Sequence, residues 1–119
     1  MSPLFVEYPR CSTCKKAKAW LDAHGVEYAD RHIVEDNPTA EELRGWWQMS
    51  SLPLRRFFNS SGMKYRELGV KAKLDAGMGD DEALDLLATD GMLVKRPLLV
   101  LDDTVLVGFR EQEWEAALA

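Results

Sequence analysis

The chain has 119 residues, of which 46% are hydrophobic and 29% charged, with a formal net charge of -5 at neutral pH. That size supports one hydrophobic core without staples, and the composition excludes a disordered or collagen-like chain. No apolar run approaches the roughly 20 residues that cross a bilayer, the start lacks the basic and long apolar stretches of a secretory signal, and the acidic balance argues against a nucleic-acid binder, which needs a basic face. A cytoplasmic location, one domain spanning 1–119, and no membrane or direct nucleic-acid partner are therefore expected, together with a monomeric state.

Leu4 to Tyr8 is a short apolar run rich in strand formers, and Pro9 ends it, which predicts a buried first strand. After the cysteines, Ala17, Trp20, Leu21 and His24 recur at the spacing of one helical face, Lys15, Lys16 and Lys18 lie off it, and Gly25 supplies a stop. A second strand is expected within 26–34, with Val26, Tyr28 and Ile33 as its apolar members, completing a strand-helix-strand unit. Thr39 and Glu42 have capping-box spacing at the start of a helix whose face continues through Leu43, Trp46, Trp47 and Ser50. Trp20, Trp46 and Trp47 are read as core, with one of the adjacent pair left to line a cleft, since two neighbours on a helix cannot both face inward. Further helical patterns near Leu54 to Phe58 and Glu82 to Ala88 are separated by glycines, and nothing between 38 and 90 reads as a strand. Leu98 to Leu101, the polar Asp102-Asp103 break and alternating Val105, Val107 and Phe109 predict a hairpin. Glu111 to Leu118 predicts a closing helix with an acidic first turn. The sum is an α/β chain: a small mixed sheet from residues near 1–37 and 91–119, helices on its faces, and a helical insertion over 38–90.

The two cysteines, Cys11 and Cys14, are too close in sequence to cross-link distant parts of a fold, so their role is read as chemical. They lie in the one basic segment: residues 1–18 carry four basic side chains against one acidic, whereas 75–119 carry three against eleven. Cys11-Ser12-Thr13-Cys14 stands between a predicted strand and a predicted helix, where free N–H groups and the helix dipole stabilise a thiolate. Cys11, at the turn, is the predicted nucleophile, and Cys14, one helical turn in, the resolving thiol. Half a zinc site is the competing reading, but His24 and His32 are eight apart and miss the usual spacing, so no metal is expected and both histidines are read as surface or half-buried. In Lys95-Arg96-Pro97 the proline enters the third strand, either as an ordinary strand-initiating residue or as a cis site opposite the cysteine loop.

Four stretches then carry a family resemblance: Tyr8-Pro9-Arg10-Cys11-Ser12-Thr13-Cys14-Lys15-Lys16-Ala17, Phe57-Phe58-Asn59-Ser60-Ser61-Gly62-Met63-Lys64-Tyr65-Arg66-Glu67-Leu68-Gly69, Asp90-Gly91-Met92-Leu93-Val94-Lys95-Arg96-Pro97, and Val107-Gly108-Phe109. Nearly end to end the chain resembles the bacterial arsenate reductase (ArsC-type) and Spx superfamily, above all its small CxxC-bearing ArsC-like reductases of Spx/MgsR type. The resemblance implies a thioredoxin-like, glutaredoxin-type fold with a helical insertion, a catalytic cysteine at Cys11, and Pro97 as the cis-proline facing it. It implies Arg96 and Arg110 as two of three arginines that bind the oxyanion and depress the thiol pKa. The third position falls on Asn59, with Arg55 and Arg56 one turn earlier as substitutes. Ser12, Thr13 and Lys15 are expected to join Pro97 and Asn59 in binding substrate.

Losing one of three cations weakens an oxyanion site. Cys14 also supplies internally the second thiol that such arsenate reductases take from glutathione and glutaredoxin. The expected function is a thiol-disulfide oxidoreductase or arsenate reductase-like protein acting on a small disulfide, glutathione adduct or oxyanion, with no bound cofactor and with glutathione, glutaredoxin or thioredoxin as electron donor. The Spx branch offers the alternative of a redox-sensing regulator that binds the C-terminal domain of the RNA polymerase α subunit.

Overall fold

The computed structural model describes residues 2–118, and among these there are four strands and six α-helices. The strands are β1 (Leu4–Glu7), β2 (Ala29–His32), β3 (Leu98–Val100) and β4 (Val105–Val107); the helices are α1 (Ser12–Ala23), α2 (Ala40–Ser50), α3 (Met63–Glu67), α4 (Val70–Asp75), α5 (Asp80–Thr89) and α6 (Glu111–Leu118). The sheet runs in the order β2-β1-β3-β4, with β1 parallel to β2, antiparallel to β3, and β3 antiparallel to β4. No helix among the described residues is long and apolar enough to cross a membrane.

Side chains alternate along a strand, so the sheet has two distinct faces. Phe5 and its register partner Leu99 face α1 and α6, where they are buried with Ala17, Leu21 and Trp114. The Trp114 indole N–H donates to the Gly108 carbonyl at 3.1 Å, which satisfies the one polar atom of a fully buried side chain. Val6 and Leu98 face the opposite way and pack with Ile33, Val105 and Val107 against Leu43, Trp46, Phe57, Phe58, Leu84 and Leu87 of the insertion. The insertion thus forms the second covering layer of the sheet.

Local chemistry sets the boundaries. The Thr39 hydroxyl accepts from the Glu42 N–H and the Glu42 carboxylate accepts from the Thr39 N–H, both at 3.1 Å, which is the reciprocal box expected from the sequence. Arg31 clamps the same carboxylate at 2.6 and 2.9 Å and, with the helix start, holds the Glu42 carboxyl down at about 2. At Gly91 a Cβ would overlap the Ile33 carbonyl, so only glycine allows the chain to pass there. Trp46 is buried while Trp47 is half-buried, with its indole N–H on the Leu52 carbonyl at 2.9 Å.

Two details differ from the sequence expectation. β2 is the polar run Ala29-Asp30-Arg31-His32, and the apolar residues expected within it flank it: Val26 and Tyr28 pack on the α1 face and Ile33 is buried on the other. As an edge strand, β2 is held by backbone pairing to β1, which needs no apolar side chains. Within the insertion, Phe58 forms an isolated antiparallel bridge with Val94, fastening the helical layer to the segment that leads into β3.

Candidate active site

β1 runs directly into the cysteine loop. The Cys11 N–H donates to the Tyr8 carbonyl at 2.9 Å, closing a tight turn over Pro9 and Arg10, and the Cys11 carbonyl accepts the Lys15 N–H at 3.0 Å as the first helical bond. Cys11 is therefore the N-cap of α1, with extended backbone angles, and it is half-buried; Cys14 points into the core and is fully buried. Both are free thiols.

The two sulfurs are pushed in opposite directions. Partial burial would raise the Cys11 thiol, but the Cys14 N–H, the Cys14 thiol, the Thr13 N–H and the Arg96 guanidinium all face it, and together they bring it below its ordinary value. Cys11 makes no aligned side-chain cap hydrogen bond, so the helix N-terminus acts on the sulfur through its field. Burial pushes Cys14 up to about 12, and the neighbouring Cys11 and Glu7 add to that in spite of the Tyr8 N–H. One ionisable, accessible thiol beside one neutral, buried thiol is the division of labour that nucleophilic attack followed by resolution requires.

A cleft of about 280 Å³ opens beside this loop, lined by Thr13, Arg56, Lys95, Arg96, Gly108 and Arg110 together with Val107 and Phe109. Its cations come from three separate places. Arg56 is supplied by the 3-10 turn Leu54–Phe57, Arg110 by the residue preceding α6, and Lys95 and Arg96 by the approach to β3. The Lys95 N–H on the Phe57 carbonyl at 2.8 Å ties the first of these to the third, and the Gly108 N–H on the Pro97 carbonyl at 2.9 Å ties the second to the third. Arg96 sits with its guanidinium over the Tyr8 ring, 5.5 Å from the centroid, and donates to the Met92 carbonyl at 3.1 Å. The Arg96-Pro97 peptide bond is cis.

Lys18, Arg31, Arg44, Arg55 and Lys71 are each engaged by a carboxylate. Among the described residues Arg56, Lys95, Arg96 and Arg110 have no such partner, a property they share with Arg10, Lys15, Lys16, Arg66 and Lys73; what sets the four apart is that they line one cleft. A larger cleft of about 530 Å³ shares Arg56, Val107 and Arg110, and neither cleft is lined by a cysteine. The smaller one is the candidate site because Arg96 belongs both to it and to the surroundings of Cys11.

The structure brings together Thr13, Arg96 and Arg110 in this cleft and places Pro97 behind it. It separates Asn59, whose N–H donates to the Leu93 carbonyl at 2.8 Å and whose amide abuts Gly62. Arg56 stands in the cleft where the resemblance put Asn59, because it leaves the 3-10 turn one residue before buried Phe57. Ser12 and Lys15 are exposed on α1 and do not line the cleft. His32 is occupied structurally, its Nδ1 accepting from the Val34 and Glu35 N–H groups, both at 3.1 Å; His24 Nδ1 lies 2.8 Å from the Trp20 carbonyl.

Glu7 was legible only as a charge, yet it is the one buried charged residue of the described chain, at 3% exposure. It ends β1 beneath the cysteine loop, and Lys18 of α1 reaches both it, at 3.3 Å, and Asp30 of β2, at 2.6 Å. Burial, then Asp30, push its carboxyl up to about 7 against the pull of Lys18. A carboxylate closing an otherwise apolar strand was the signal in the sequence.

Comparison with known proteins fits this architecture. The chain is 53% identical to YusI of Bacillus subtilis over 97% of each chain. It is 29% identical to the regulatory protein MgsR of the same organism, over 92% of this chain and 84% of that one. The solved structure of a protein from Streptococcus mutans, described as "a possible arsenate reductase", superposes with a TM-score of 0.85 at 45% identity, over 95% of this chain and 97% of the other. The ArsC family model matches residues 6–117. With that match over nearly its whole length, and with a thioredoxin-like sheet that carries its cysteine at a helix start, the chain belongs to the ArsC family.

Proposed function

We propose that this protein is a thiol-disulfide oxidoreductase for a small anionic substrate. The observation that carries the reading is Cys11 at the N-terminus of α1 beside a cleft lined by four cations that, among the described residues, lack carboxylate partners; the lowered Cys11 thiol agrees with it. The Cys11 thiolate attacks one sulfur of a disulfide, forming a mixed disulfide and releasing the other half as a thiolate. Cys14 then attacks the Cys11 sulfur, expelling the second thiolate and leaving a Cys11-Cys14 disulfide, which glutathione, glutaredoxin or thioredoxin reduces again. Arg96 stabilises the Cys11 thiolate, while Arg56, Lys95 and Arg110 hold the anionic groups of the substrate. An oxyanion such as arsenate fits the same cleft, with Arg56 in place of the missing third arginine.

The test is the pair Cys11→Ser and Cys14→Ser with a glutathione-based mixed disulfide as substrate. Cys11→Ser is expected to be inactive, and Cys14→Ser to accumulate the adduct on Cys11. Equal reactivity of both thiols in the single variants would sink the assignment. A coupled assay with glutathione and glutaredoxin decides arsenate; arsenite no higher than background removes that substrate. Similarity to MgsR supports a second reading, a redox-dependent regulator. Capture of the RNA polymerase α C-terminal domain under oxidising but not reducing conditions is its expected outcome, and no capture in either state removes it.

A further inference from the structure

The cations beside the cysteine loop serve more than one cleft. Arg56 and Lys95 also line a second cleft, of about 450 Å³, formed mainly by the insertion, and there Arg55 and Lys71 bring the set to four. Among the described residues no carboxylate lines it, although the chain carries a net charge of -5. Its remaining polar side chains are Ser60 and Tyr65, so every polar side chain in it can donate a hydrogen bond. We infer that this second cleft is a subsite for a phosphate group, and that the disulfide attacked by Cys11 carries a phosphate ester on its small-molecule half. This rests on the thiol-disulfide reading and adds to it the class of substrate.

The wall shared by the two clefts is held by backbone. Arg55 and Arg56 leave the 3-10 turn Leu54–Phe57, and the segment that leads into β3 is fastened to the end of that turn three times. The Lys95 N–H donates to the Phe57 carbonyl and the Asn59 N–H to the Leu93 carbonyl, both at 2.8 Å, and Phe58 bridges Val94. Phe57, Phe58, Leu93 and Val94 are all buried, so Arg56 and Lys95 project from a fixed frame toward both clefts. Arg96 and Arg110 line the first cleft only, which leaves them for the end of the substrate that carries the disulfide.

Asp75 of α4 holds the place of the ligand. Its carboxylate meets Arg55 at 3.1 Å and Lys71 at 2.8 Å, yet it belongs to the next cleft along, which shares Lys71 and Tyr65. All three side chains are exposed, and ion pairs of that kind are weak enough for a dianion to displace. Four cations exceed what the single charge of a carboxylate calls for. Two adjacent guanidinium forks match phosphate oxygens, two lysines add point charges, and the two hydroxyls donate to the oxygens that remain.

The experiment gives the reduced full-length protein two mixed disulfides that differ by one phosphate, pantetheine and 4′-phosphopantetheine each joined to nitrothiobenzoate. The Cys11 thiolate bonds to the pantetheine sulfur, the substrate S–S bond breaks, and nitrothiobenzoate leaves with the electron pair and is read by absorbance. At fixed ionic strength the second-order rate constant is expected to be about tenfold higher for the phosphorylated substrate, the effect of one charge-assisted contact. Lys71→Met should bring that ratio down to about threefold or less, and Asp75→Asn, which frees Arg55 and Lys71, should raise it. Lys73→Met removes the same charge from the same helix outside the cleft and should leave the ratio as it is. A wild-type ratio of one, a ratio unmoved by Lys71→Met or lowered equally by Lys73→Met, or a fall in Asp75→Asn overturns the subsite while leaving the thiol-disulfide reading intact. No nitrothiobenzoate from either substrate overturns both.

Discussion

Glu7→Gln is a test of stability, because a buried carboxyl with a raised pKa costs the fold free energy at neutral pH. The folded protein holds the Glu7 proton up to about 7, whereas the unfolded chain releases it near the ordinary 4.5. Between those values the native state binds more protons, so this group's contribution to stability is fully present below pH 4.5 and is lost as pH rises through 7. At about 1.4 kcal/mol per tenfold change in proton affinity, the interval amounts to about 3 kcal/mol as an upper figure. Glutamine keeps the shape and a carbonyl for Lys18 but does not titrate, and Lys18 retains Asp30. Urea unfolding of both proteins at pH 4 and pH 8 measures the effect, with the wild type as reference so that other carboxylates cancel. The stability of Glu7→Gln relative to wild type is expected to improve from pH 4 to pH 8 by up to about 3 kcal/mol at unchanged m. A relative stability that is the same at both values, or that worsens with pH, refutes the account of Glu7 as a buried, near-neutral acid.

Arg56→Met should raise KM for an anionic disulfide about tenfold, from loss of one charge-assisted contact, and weaken competitive inhibition by sulfate; steady-state kinetics at fixed ionic strength would show an unchanged KM if Arg56 does not touch substrate. Glu42→Ala removes the capping box and the Arg31 clamp and is expected to cost about 1 kcal/mol at pH 7, discounted for the partial exposure of the pair. Since the Glu42 carboxyl is held near 2, that stabilisation is complete above its ordinary 4.5 and fades as pH falls toward 2, so the two denaturation curves should converge there. Gly91→Ala forces a methyl into the Ile33 carbonyl and should destabilise by about 3 kcal/mol in thermal or chemical melts. Trp114→Ala should cost about 3–5 kcal/mol, since the ring is fully buried between α1, α6 and the sheet.

The helices were the most readable part of the chain. The side chains of Thr39 and Glu42 each bond the other's backbone within one turn, so their spacing alone announces the start of α2. The closing helix and the Leu98-Val107 hairpin were equally local. β2 was not legible as drawn, because an edge strand is chosen by the neighbour it pairs with, and its own sequence Ala29-Asp30-Arg31-His32 carries no apolar alternation.

The sequence by itself determined a CxxC motif between a strand and a helix in the basic segment of an acidic chain, and hence which sulfur stands at the helix start, where helix-terminus electrostatics act within one turn. Which cations gather in the cleft beside that loop was decided only by tertiary structure. Arg96 and Arg110 lie 85 and 99 positions from Cys11 by their numbering, and Arg56, not Asn59, enters the cleft because burial of Phe57 fixes the rotation of its turn. The burial of Glu7 likewise appeared only in the folded chain. A carboxyl owes its pKa to its surroundings, and the desolvating sheet and the Lys18 and Asp30 partners come from three segments that meet only after folding.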